Sequence, residues 1–552
     1  MIRNCVKGLI IALFFLQACN NSQQKKELVK SSTPPPNPQA IEVEKEGPGS
    51  FISQTVLHFD SSQIKIFFDK YPLLNSYKSE LISFYQKNRF AYVWFDQNGM
   101  IEQVGKLYNR LSNYEEEGLK DSIPYLNAVD QLVEEQNLEG GKEWEAELMF
   151  TSQYFRFGDK TFRGLDSKSL NKMEWYLPVK KLPLGKYLDS LLKKTADSFL
   201  TNDPVYWQYA LLKKYLKKYS DLNSNTTDIR LQGKSAKFKL GDSASDIRLI
   251  RKRLFEFGDL QANNNSSEYD TSLENGIKNF QTRFGLTVDG KLGPGTLKEI
   301  TTPLSKRLEQ IMINMERSRW LPLGENADYI SVNIPEFRLH VYEKGKPEWD
   351  MNVVVGKAVN KTTIFEGDVK YVVFSPYWNV PVSIIKKEII PGMRKNKSYL
   401  KNHDMEITGY MSGGIPIVRQ KPGLNNSLGL VKFLFPNSHS IYMHDSPAKS
   451  LFNESSRAFS HGCIRLAEPK KLAMYLLRDY PEWTEDKIEG AMNSGKEKTV
   501  TLKKPLAVYI GYFTSWVDKQ GKLNFRNDIY KRDDRLAGML FSNDKTVASK
   551  GK

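Results

Sequence analysis

Cysteine is almost absent from this chain: its 552 residues hold three, Cys5, Cys19 and Cys463. The first two sit inside and at the end of an apolar N-terminal segment, so Cys463 has no partner in the rest of the chain, and a disulfide framework is excluded. The six histidines lack third and fourth ligands at workable spacing, so no metal and no other cofactor is expected. Past the N-terminal segment there is no apolar run of the about 20 residues that crossing a bilayer requires.

The N-terminus has the secretory pattern. Arg3 and Lys7 are followed by the apolar run Gly8 to Leu16, too short to span a membrane. The phrase Leu16-Gln17-Ala18-Cys19 resembles a bacterial lipoprotein lipobox. That resemblance implies removal of residues 1–18, lipidation of Cys19, and a periplasmic protein anchored to either the inner or the outer membrane. A plain signal peptide is the simpler alternative. Residues 19–50 are polar, with Pro34-Pro35-Pro36 near the centre, and read as a disordered tether.

The net charge is +16, or +14 once Arg3 and Lys7 leave with the signal, which favours an anionic partner. Export argues against nucleic acid and points to a wall polymer or a lipid surface.

Composition shifts divide the remainder. Residues 51–235 read as a helical scaffold, with apolar three- and four-residue spacing in Ser76 to Tyr85, Tyr187 to Ser198 and Asn202 to Lys218. Trp94, Trp144, Trp175 and Trp207 read as core aromatics, and no chemistry is assigned to this region. In residues 236–300, Ile247, Ile250, Leu254 and Phe257 form one helical face, with Gly258 as its cap. Leu273, Ile277, Phe280 and Phe284 form a second. With Gly285-Leu286, Asp289-Gly290, Gly293 and Thr296, this stretch resembles the small three-helix peptidoglycan-binding domain; a helical spacer is the alternative. A connecting helix is expected over 301–325. Residues 326–552 are rich in short β segments such as Tyr329 to Ile334, which predict a mainly-β, sandwich-like core. Residues 383–424 interrupt it as a capping insertion. The whole is a multidomain α+β chain.

A thiol near its ordinary pKa is only a few per cent thiolate at neutral pH and needs a base. Cys463 lies in Ser460-His461-Gly462-Cys463-Ile464-Arg465, and His444 lies in Ile441-Tyr442-Met443-His444-Asp445-Ser446-Pro447. His461 would share a face with Cys463 if both were on a strand, but His444 at a strand end is the preferred base. Gly462 permits close substrate approach, neighbouring amides can bind an oxyanion, and Arg465 can hold a carboxylate or brace the loop.

Together these phrases resemble the L,D-transpeptidase family: a histidine, a short interval, then Ser/Thr-His-Gly-Cys and Arg or Asn. Further similar phrases are Tyr377-Trp378-Asn379-Val380-Pro381, Arg419-Gln420-Lys421-Pro422-Gly423 and Tyr512-Phe513-Thr514-Ser515-Trp516. Thr362-Thr363-Ile364-Phe365 departs from the family's Thr-Pro, and Asp445-Ser446-Pro447 from its Asp-Thr-Pro. The resemblance implies catalysis by Cys463, His444, His461 and Gly462, with substrate contacts from Arg465, Tyr442 and Trp378. It also implies peptidoglycan stem peptides as substrate and carbapenem-type inhibitors. Hydrolysis of the same acyl-enzyme, an L,D-carboxypeptidase activity, remains an alternative, as does a non-catalytic wall-binding lipoprotein.

Overall fold

The structure, a computed structural model, describes residues 57–135, 141–178, 180–196, 203–232, 238–321 and 327–541. The signal segment, Cys19 and the tether lie outside the described residues. Among the described residues no helix is long and apolar enough to cross a membrane.

The helical region packs around Glu143–Gly158, a helix buried on nearly every side. Such all-round burial is what an interior helix requires. Three expected helices appear as Lys78–Lys87, Leu184–Leu192 and Gln208–Asn225. The last starts later than its periodicity suggests, because Asp203 is held outside the helix by Arg110 through bonds of 2.7 and 2.9 Å. Trp94 and Trp175 are buried as expected, but Trp207 is 45% exposed.

Helices Ser245–Phe257, Thr271–Arg283 and Pro294–Thr301 build the small three-helix unit. Gly258 caps the first in the left-handed conformation, and the Asp270 side chain accepts from Leu273 N in the second. The unit is fused into the body. Phe284 lies 5.2 Å from the Phe525 ring, and Arg283 pairs with Asp259 while donating to the Leu523 carbonyl. The expected connector is more than a connector: helix Leu304–Trp320 is continuously buried from Ile311 to Trp320. Its Asn314 and Gln310 side chains donate to Thr514 Oγ1 and Thr514 O, at 2.8 and 3.0 Å. It is a spine tying the helical and β regions together.

The β region is a sheet that returns on itself. In order, its strands are Val431–Leu434, Met443–His444, Ile464–Leu466, Lys346–Gly356, Arg338–Glu343, Tyr329–Asn333, Lys498–Gly511 and Ile364–Phe374. The last pairs back with the first, Val431 opposite Phe374. Closure leaves few open edges. Alternation points Ile330, Val332, Leu339, Val341, Val508 and Ile510 into the core, all fully buried. The helical region adds a short parallel strand, Trp175–Tyr176, beside Ile364 and Phe365.

The insertion is a folded cap. Its three-stranded sheet comprises Trp378–Asn379, Pro416–Gln420 and Met405–Tyr410, so it begins before the expected Ser383. Val380, Ile384, Ile385, Ile389 and Val418 form a small core of its own.

Candidate active site

Two short parallel strands make the site. Met443 faces Ile464 and His444 faces Arg465 across the pair, and Ile464 N donates to Tyr442 O at 3.1 Å. Because side chains alternate along strands, Tyr442, His444, Cys463 and Arg465 fall on one face. The turn before Cys463 is closed by Ser460, whose hydroxyl donates to Cys463 O at 2.6 Å and accepts from Gly462 N at 3.1 Å. Gly462 has φ +120°, which a side chain would resist. His461 therefore lies in a turn, not on a strand with Cys463 as the sequence expectation allowed. It turns instead toward the cap, with Nε2 3.2 Å from Glu388 Oε1.

A second residue stiffens that turn from beneath. Thr362 Oγ1 accepts from Gly356 N at 2.9 Å and donates to Gly462 O at 2.8 Å. Tyr530 completes the knot, accepting from Thr362 N at 3.2 Å and donating to Gly356 O at 2.6 Å. In the sequence Thr362 is legible only as the threonine of a family phrase whose proline is replaced here by Thr363. Its bracing role needs Gly462 brought to it from 100 residues away.

Cys463 is half-buried, and its S–H points to the Ser440 carbonyl at 3.7 Å. Burial pushes the thiol pKa up, opposed by hydrogen bonds from Tyr442 and by the Arg465 charge. Tyr442 itself stays a phenol, its pKa driven far upward by burial. Its hydroxyl also contacts Trp378 of the cap.

His444 is buried at 4% exposure. Its Nδ1 lies 2.5 Å from the Asp445 carbonyl. A carbonyl only accepts, so Nδ1 carries the proton and the neutral ring keeps its free lone pair on Nε2. Burial and the nearby Arg465 lower its pKa to about 3, against the favourable carbonyls of Asp445 and Leu428. The resting site thus pairs a neutral thiol with a neutral imidazole, and no hydrogen bond joins Cys463 to either histidine among the described residues. Asp445 anchors the strand end: its carboxylate accepts from Leu430 N at 2.9 Å, Ser446 N at 2.7 Å and Lys449 Nζ at 2.5 Å. Gly429, at φ +64°, leaves the room this carboxylate occupies.

Two donors remain unspent. Gly462 N and Ile464 N are already bonded, which leaves the Cys463 N–H without a partner among the described residues. The buried Nε of Arg465 also lacks one. No group of histidine, cysteine or acidic residues able to hold a metal occurs among the described residues.

Three family models match the chain. Residues 327–489 match the L,D-transpeptidase catalytic domain, residues 79–216 the Scaffold domain, and residues 243–300 the "Putative peptidoglycan binding domain". A Haemophilus influenzae protein named "Putative L,D-transpeptidase" is 29% identical over 251 residues, covering 43% of this chain and 50% of its own. This chain therefore spans about half the length of that relative. Among solved structures, an L,D-transpeptidase from Stackebrandtia nassauensis is 14% identical with a TM-score of 0.23, covering 51% of this chain and 98% of that one. L,D-transpeptidase 3 from Mycobacterium tuberculosis, solved with a faropenem-derived adduct, is also 14% identical, with a TM-score of 0.18, covering 33% and 60%. The chain carries an L,D-transpeptidase catalytic domain beside a helical scaffold and a domain of the peptidoglycan-binding type.

Proposed function

With an L,D-transpeptidase catalytic domain as the premise, we propose that Cys463 takes an acyl group from one peptidoglycan stem peptide and passes it to a neighbouring one. The supporting observation is the shared face that the paired strands Met443–His444 and Ile464–Leu466 give His444 and Arg465, with Tyr442 and Cys463 immediately before them, inside the matched domain. In the donor, a tetrapeptide stem, the Cys463 sulfur bonds to the carbonyl carbon between the third residue and the terminal D-alanine. The thiol proton passes to Nε2 of His444, and the Cys463 N–H meets the oxyanion. Collapse breaks the C–N bond, and the imidazolium returns its proton to the departing D-alanine amine. A thioester to Cys463 remains.

The side-chain amine of a neighbouring third residue then attacks that carbonyl. His444 accepts the amine proton and returns it to the sulfur, leaving an amide between two third residues. The energy of the broken amide is retained in the thioester, so no nucleotide is consumed. Because burial disfavours both ions at rest, proton transfer would accompany attack rather than precede it.

A strained β-lactam of the carbapenem type would acylate the same sulfur, with its opened ring staying attached. Lipidation of Cys19 would hold the protein at a membrane facing the wall. The deciding experiment incubates purified protein with tetrapeptide muropeptides and resolves products by mass. Crosslinked dimers with released D-alanine support transfer, tripeptide monomers alone would mean hydrolysis, and unchanged substrate would refute the reading.

A further inference from the structure

Away from Cys463, the sheet's outward face forms the floor of a cleft of about 510 Å³. That volume is within the range of small-ligand pockets. The floor follows from strand register. Tyr329 faces Tyr342, Ser331 faces His340 and Asn333 faces Arg338, with Tyr509 beside Ser331 on the third strand. Alternation that buries Ile330, Val332, Leu339 and Val341 necessarily turns these side chains outward. Tyr329 and Tyr342 lie flat against each other, with centroids 4.4 Å apart and planes 10° apart.

The walls come from elsewhere in the chain. One is Tyr206 and Trp207 of the helical region; the other is the hairpin Ser515–Val517 and Leu523–Phe525 with its turn. Gln208 clamps the two together, donating to Val517 O and accepting from Val517 N, both at 2.8 Å. Tyr215 adds a bond to Gly521 O at 2.6 Å. The cleft is therefore preformed. No lining residue belongs to the cysteine site.

The lining chemistry narrows the occupant. Acidic Glu336, Glu348, Asp350 and Asp518 nearly cancel basic Arg338, Lys346 and Lys519, so the cleft selects neither an anion nor a cation. Trp207, at 45% exposure, offers an open aromatic surface at the rim. Tyr329 and Tyr342, at 8% and 9% exposure, cover each other, so the open aromatic face is that of Trp207, which with the polar side chains around it suits a pyranose, whose C–H face packs on a ring while its hydroxyl and amide groups bond at the edge. We infer that this cleft binds the amino-sugar glycan strand of the wall, holding the polymer while its stem peptides reach Cys463 elsewhere on the molecule. This rests on the peptidoglycan reading above.

The test titrates the full chain by calorimetry with N-acetylglucosamine oligomers and with glycan strands stripped of stem peptides. Binding is expected in the parent, about tenfold weaker in Trp207→Ala and largely restored in Trp207→Phe. Because Trp207 is an exposed rim residue, matched melting curves establish that the variants fold. Absence of glycan binding in the parent, as when another segment or partner fills the cleft, would overturn the inference, as would equal binding by Trp207→Ala. Acylation of the unaltered protein by a β-lactam reports the cysteine reading separately. Acylation without glycan binding refutes the cleft alone, whereas loss of acylation refutes the proposed activity.

Discussion

Thr362→Val replaces a buried hydroxyl by a methyl of nearly the same size, so it tests the bracing of the turn before Cys463 without opening a cavity. The hydroxyl holds Gly356 N and Gly462 O, at 2.9 and 2.8 Å, and neither would find water in its place. Leaving a buried donor or acceptor unpaired costs about 1–3 kcal/mol, so the two together should destabilise the fold by about 2–6 kcal/mol. The Tyr530 bonds to Thr362 N and Gly356 O survive the change, so the loss is local. Gly462 directly precedes Cys463, and a shift of about 1 Å in a reacting group can cost about a hundredfold in rate. The assay pairs urea melts with single-turnover acylation of Cys463 by a β-lactam, followed by intact mass. Thr362→Ser keeps the hydroxyl and should recover most of both losses, lacking only a methyl worth about 1 kcal/mol. Wild-type stability together with a wild-type acylation rate in Thr362→Val would refute the bracing argument.

Cys463→Ala should abolish acyl transfer on muropeptides while leaving the melting curve close to that of the parent, and Cys463→Ser should be nearly as inactive, a hydroxyl being far less ionised. A β-lactam adduct that survives Cys463→Ala in intact mass would contradict the choice of nucleophile. His444 should make stability depend on pH: its folded pKa of about 3 is below the unfolded value of 6.5, so the unfolded chain binds the proton first. Its contribution is complete above about pH 6.5 and lost toward pH 3, with a slope of up to about 1.4 kcal/mol per pH unit that His444→Gln should remove from denaturation curves. Glu388→Gln should weaken the cap's contact with His461 and raise the ratio of hydrolysed to crosslinked muropeptide; an unchanged ratio would remove Glu388 from any role in shielding the thioester. Amides of the cap, with its small separate core, should exchange hydrogen faster than those of the main sheet, and equal protection would show that the cap opens no more readily than the sheet.

Much of the site is legible in the sequence because its chemistry is local. Ser460 to Arg465 are contiguous, and Tyr442 and His444 share a face by the two-residue period of any strand. The helical faces around Ile247 to Phe257 and Leu273 to Phe284, and the Gly258 cap, follow from periodicity and from glycine's tolerance of the left-handed conformation. What only the tertiary structure decided are contacts between distant segments. Closure of the sheet through Val431 and Phe374, the bond from Thr362 to Gly462, the approach of Glu388 to His461, and the burial of helix Leu304–Trp320 as a spine all depend on how elements meet. So does Trp207, whose helical context suggested a core aromatic until the packing left it on the rim of a cleft. Local propensity acts over a turn or a strand, whereas these pairings are selected by burial summed across the whole fold.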